Sequence, residues 1–155
     1  MGIHEIRCSG AKTVARRAVR GIILSAMTTS TRRRLIRIIP WALAVWTVTI
    51  LVFTLAPRDS VAGSAPFAVA KGAHVIAFGG WTFLLGLYLG VYRRRQQLHI
   101  VPLLLAGVVF GAIVELGQLL LPFGRSGTVL DVAINAAGVT AALLVLRWMQ
   151  NRAAL

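Results

Sequence analysis

The chain has 155 residues, 57% of them hydrophobic and 14% charged, with a net charge of +13 and a mean hydropathy of +0.79. Stretches of 20, 21 and 19 residues without charge separate Arg37 from Arg58, Lys71 from Arg93 and Arg95 from Glu115. Runs of about 20 apolar residues match the thickness of a bilayer's hydrocarbon core, which excludes a soluble domain, a disordered tail and a disulfide-stapled secreted module.

In chain order, residues 1–34 form a basic cytoplasmic tail. Within it Val14, Ala15, Ala18, Val19, Ile22 and Ile23 recur at helical spacing among basic residues. That pattern suits a helix lying on an anionic leaflet, with an unstructured extension ahead of a start at Met27 as the alternative. Residues 35–148 are expected to be a four-span transmembrane domain, with spans at about 35–56, 72–92, 99–121 and 128–148. Residues 149–155 are a short cytoplasmic tail. The first span exceeds the 7–15 apolar residues of a signal-peptide core and is read as a retained helix. The predicted fold is all-α, a four-helix transmembrane bundle of a multi-pass plasma-membrane protein.

Fourteen of the 17 Lys and Arg fall before the first span, between spans two and three, or at the C-terminus, leaving Arg58, Lys71 and Arg125 on the other side. Basic residues favour the cytoplasmic side of short loops, so both termini are expected inside (N-in/C-in). Trp41, Tyr92 and Trp148 then fall near the cytoplasmic interface. Because the basic residues flank apolar runs, they read as topology signals rather than as a nucleic-acid surface. The single cysteine, Cys8, allows no internal bridge and suggests no metal site, and no cofactor is expected.

Ionisable groups inside a membrane are costly and usually meet partners or water. Here Lys71 and His74 open the second span, Glu115 and Gln118 close the third, Arg125 and Ser126 occupy the turn after Pro122, and Asp131 and Asn135 begin the fourth. All eight are expected at the extracytoplasmic end, as one ligand-binding pocket. Spacings of three or four residues put each helical pair on one face. Gly107, Gly111, Glu115 and Gln118 share a stripe on the third span, and Asp131, Asn135 and Gly138 share one on the fourth. The glycines of the third span should let another backbone approach closely. Gly72, Gly79 and Gly86 recur at heptad spacing, on a face predicted to differ from that of His74. Each residue also has a structural reading: Asp131 at a helix N-terminus, Asn135 as interhelical glue, Lys71 snorkelling, Glu115 pairing with Arg125.

The constellation Lys71-Gly-Ala-His74, Glu115-Leu-Gly-Gln118, Pro122-Phe-Gly124-Arg125-Ser126 and Asp131-Val-Ala-Ile-Asn135-Ala-Ala-Gly138 resembles the VanZ-like family of small bacterial integral membrane proteins. It departs from the family pattern at Ala70, where Asp is frequent, at Phe78, where Tyr is frequent, and at Phe123, which lengthens the turn. The resemblance implies a polytopic plasma-membrane protein of the cell envelope, in a family named after a member associated with low-level resistance to the glycopeptide antibiotic teicoplanin.

Two functions compete first. A non-enzymatic protein would hold an anionic lipid or envelope-precursor headgroup, Lys71 and Arg125 gripping its phosphate or carboxylate. Alternatively, an intramembrane enzyme would act on a lipid-linked phosphate or acyl group, His74 serving as base or nucleophile, Glu115 or Asp131 orienting it, and Arg125 stabilising charge. The sequence holds no G-x-S-x-G or H-E-x-x-H motif, so the enzymatic reading ranks second. A dimeric carrier joined through glycine faces such as Gly86–Gly90, and a purely structural role, complete the set.

Overall fold

A computed structural model describes residues 29–55, 67–92, 99–121 and 128–152. The chain folds into four helices: α1 (Thr29–Leu55), α2 (Phe67–Leu87), α3 (Ile100–Leu120) and α4 (Val129–Arg152). All four are long and apolar enough to cross a membrane, since about 20 residues at 1.5 Å rise span the hydrocarbon core. The predicted spans therefore reappear, with shifted ends. α1 begins six residues before the predicted span, and α4 runs on to Arg152 rather than stopping at Trp148. Of the tail expected at 1–34, residues 1–28 lie outside the described residues, as does the expected turn at 122–127, and 29–34 open α1.

α2 does not end cleanly but widens into a π-helical turn, Tyr88–Tyr92. A π-turn spaces hydrogen bonds five residues apart and advances the helix phase. Gly90 sits in this turn, and a side chain there would meet nothing within 4 Å.

Matched pairs of residues give the register. Lys71 and His74 meet Asp131 and Asn135, Gly79 meets Gly138, and Gly86 meets Leu146, so α2 and α4 run parallel. Gly107, Gly111 and Glu115 descend past Thr82, Phe78 and His74, so α3 is antiparallel to α2. This is an up-down-up-down bundle. Its apolar core joins Ile50 from α1, Phe78 from α2, Leu103 and Val114 from α3, and Val139, Leu143 and Leu146 from α4. Trp41, Val45, Ile76, Ile113, Leu120 and Leu144 instead point outward, each more than half exposed, as side chains facing lipid do.

Glycine sets the spacing. A β-carbon on Gly79 would lie 2.8 Å from the Gly138 carbonyl oxygen, and one on Gly138 would strike the Val75 carbonyl oxygen. The two backbones touch where both residues lack side chains. The expectation that the α2 glycines and His74 serve different faces is corrected here. Gly79, Gly86 and His74 all turn toward α4, whereas Gly72 meets nothing. The face is broad because α4 lies parallel to α2 in close contact over several turns. On α3, Gly107 and Gly111 are buried, but their neighbours are side chains rather than the backbone expected there. A β-carbon there would meet Thr82 Oγ1 at 2.7 Å and Asn135 Cβ at 3.2 Å, respectively.

Any side chain at Gly138 must force α2 from α4, since backbone cannot yield as a rotamer can. Ordinary overpacking costs about 1–3 kcal/mol, so Gly138→Val should cost at least that much, whereas Gly72→Ala should be neutral. Unfolding of the detergent-purified variants checks both expectations.

Candidate functional site

Polar side chains in these helices fall into two kinds. Thr47, Thr82 and Thr140 donate their hydroxyls to the carbonyls of Leu43, Phe78 and Ala136, one turn back, at 2.7–2.9 Å. They satisfy themselves within one helix. The buried carboxylates and amides Glu115, Gln118, Asp131 and Asn135, with His74, instead collect at the end of the bundle where α1 and α3 finish and α2 and α4 begin.

The first turn of α4 is built by Thr128. Its Oγ1 accepts from the Asp131 amide at 3.1 Å and donates to Asp131 Oδ2 at 2.6 Å. This N-cap satisfies an otherwise orphaned amide and fixes the carboxylate. The other oxygen, Oδ1, takes a charged hydrogen bond from Lys71 Nζ on α2. Asp131 is 5% exposed, so its charge is held inside the bundle with its partner.

One turn deeper lies Asn135, 1% exposed. Its Nδ2 donates to Glu115 Oε1 on α3 at 3.0 Å. That orientation leaves Oδ1 to accept, and it faces His74 Nδ1 on α2 at 3.0 Å. The proton on this contact is therefore carried by His74 Nδ1. The same ring nitrogen lies 3.4 Å from Glu115 Oε1. Three helices thus meet around one amide. Beneath His74, Phe78 is fully buried and stacks on the imidazole with ring centroids 6.1 Å apart; it fills apolar space where a tyrosine would bring a hydroxyl.

Gln118, one turn from Glu115, donates to the Thr54 carbonyl of α1 at 2.8 Å, so the fourth helix is tied to the same end. Further along, the Trp46 and Trp81 indoles donate to the Ala77 carbonyl and to Thr47 Oγ1, each at 2.9 Å. These two bonds join α1 to α2.

Of the eight candidates from the sequence, six are described and occupy this end. Lys71 pairs with Asp131, and one turn along α4 His74, Asn135 and Glu115 bond together, the five making up the cluster, while Gln118 bonds α1 instead. Arg125 and Ser126 lie outside the described residues. Lys71, expected to grip an anion, is engaged by Asp131. Sequence reasoning missed Thr128 and the Thr54 carbonyl. Thr128-Val-Leu-Asp131 carries the spacing of a helix-capping pair and so was detectable, whereas a backbone acceptor leaves no trace in the sequence.

The family model described as VanZ/LLP1 matches residues 17–150. No curated protein and no solved structure matches the chain.

Interhelical hydrogen bonds in membranes average about 0.6 kcal/mol, with a maximum near 1.7. Asn135 makes two, so Asn135→Ala should cost about 1–3 kcal/mol in denaturant unfolding from detergent. Thr140→Val, which removes a self-satisfied exposed hydroxyl, should stay within about 0.5 kcal/mol.

Proposed function

The chain belongs to the VanZ/LLP1 family, and on that footing we propose that it is a non-enzymatic multi-pass protein of the bacterial plasma membrane. In this reading the polar cluster binds the headgroup of an envelope precursor or membrane lipid and thereby lowers susceptibility to teicoplanin-type glycopeptides. One observation carries it: acidic and basic groups of α2, α3 and α4 gather at Asp131 and Asn135 although the helices already interlock through Gly79, Gly138 and Gly107. Packing is served by the glycines, and a buried ionic cluster is a poor source of net stability. Intramembrane ionisable groups mark ligand or ion sites by default. The side chains of Lys71 and His74 are 22% and 18% exposed, so the cluster's basic rim is reachable from its end of the bundle.

The arginine distribution supports cytoplasmic termini. With both termini inside, the cluster faces the extracytoplasmic side, where envelope precursors and glycopeptides meet. Reporter fusions should then place residues 93–98 inside and 122–127 outside.

A second reading has its own observation. His74 points Nδ1 at Asn135 and Glu115, the arrangement in which a carboxylate orients an imidazole and the other ring nitrogen serves as base. Turnover of a labelled lipid-linked phosphate by purified protein, lost in His74→Ala, would establish an enzyme.

For the binding reading, expression in a susceptible host should raise the inhibitory concentration of teicoplanin. Alanine at Glu115 or Arg125 should abolish that rise while membrane abundance stays normal. Loss of the effect confined to variants that fail to accumulate would overturn it.

A further inference from the structure

Each side-chain oxygen of the cluster can be assigned to a partner until Glu115 is reached. Asp131 spends Oδ1 on Lys71 and Oδ2 on Thr128. Asn135 spends Oδ1 on His74 and Nδ2 on Glu115 Oε1. Glu115 Oε2 is left: among the described residues it is the buried side-chain polar atom with no hydrogen-bond partner. The residue is 4% exposed, so bulk water does not serve that oxygen. An unpartnered carboxylate oxygen in a desolvated site costs more than an ordinary lost hydrogen bond. The cluster is therefore short of a donor.

The two basic groups are already engaged: Lys71 is matched by Asp131, and His74 Nδ1 faces Glu115 Oε1 at 3.4 Å, so neither serves Oε2. An incoming phosphate would have to break the Lys71–Asp131 pair and would bring a further negative charge beside Glu115. An incoming ammonium would bring the missing donor.

We infer that Glu115 Oε2 accepts a hydrogen bond from a primary ammonium group of the bound molecule, so that the cluster selects amine-bearing headgroups. This rests on the binding reading above and names its ligand class. The ammonium enters past Lys71 and His74, the partly exposed partners of the two buried carboxylates. The amine comes either from a lipid headgroup or from a free amine, and the two sources separate experimentally.

The test uses the full-length protein in detergent and native mass spectrometry with lipids of identical acyl chains. Phosphatidylethanolamine, phosphatidylcholine and phosphatidylglycerol are the probes. Phosphatidylcholine keeps the charge and the phosphate but has no N–H, so this comparison requires no variant to fold. Charge-assisted hydrogen bonds correspond to roughly tenfold or more in affinity, and phosphatidylethanolamine should be retained about tenfold more tightly than phosphatidylcholine. Glu115→Gln, which keeps the shape and removes the charge, should bring the two within about twofold at unchanged helicity. Competition by soluble glycerophosphoethanolamine at comparable concentration supports the proposal with a free amine as ligand; its failure to compete supports it with a lipid as ligand. Equal retention of phosphatidylethanolamine and phosphatidylcholine would overturn the inference and assign Oε2 to a trapped water. A preference that persists in Glu115→Gln overturns it as well. Preferential retention of phosphatidylglycerol, lost in Lys71→Ala, overturns the amine assignment while sustaining the binding reading. Retention of none of the headgroups overturns both.

Discussion

The bundle is organised by the contact of two backbones. Where Gly138 meets Val75 and Gly79, α2 and α4 approach as closely as polypeptide allows. In lipid, no hydrophobic force holds helices together, so van der Waals contact between small residues and interhelical hydrogen bonds must do it. Seating Gly138 on α2 brings Asp131 and Asn135, two turns and one turn earlier on α4, beside Lys71 and His74. The ionic end and the glycine contact are therefore consequences of a single helix pairing.

Once α2 and α4 are paired, α3 has little freedom. Gly107 and Gly111 admit it over Thr82, Val139 and Asn135, and Glu115 then falls within reach of both Asn135 and His74. α1 is held differently. It joins through Thr54 to Gln118 and through the Trp46 and Trp81 indoles, and much of its length is exposed. The polar end is thus chiefly the work of three helices, with α1 bracing it from outside.

Much of this was legible in the sequence. Unbroken apolar runs gave the four spans because a membrane tolerates little else. The polar residues stood out because each had to be compensated, and helical spacing gathered Glu115 with Gln118 and Asp131 with Asn135. What one-dimensional reading could not supply was pairing. That Lys71 belongs to Asp131 and His74 to Asn135 depends on the parallel register of α2 and α4, which short-range periodicity does not encode. The same blindness put His74 and the α2 glycines on separate faces. Gln118 joined the candidate site by spacing from Glu115, yet it serves a backbone carbonyl of α1. Oε2 of Glu115 could be seen as unmatched only after the other oxygen had been matched.

The widened turn at Tyr88–Tyr92 has a consequence for how α2 is read as a whole. An extra residue in one turn shifts the phase of a helix, so the stripe that serves α4 as far as Gly86 loses its line within Tyr88–Tyr92. The helix is out of phase with itself across that turn. Side chains in the widened turn therefore need not follow the stripe that the ionic end requires, and the two ends of α2 are free to diverge independently.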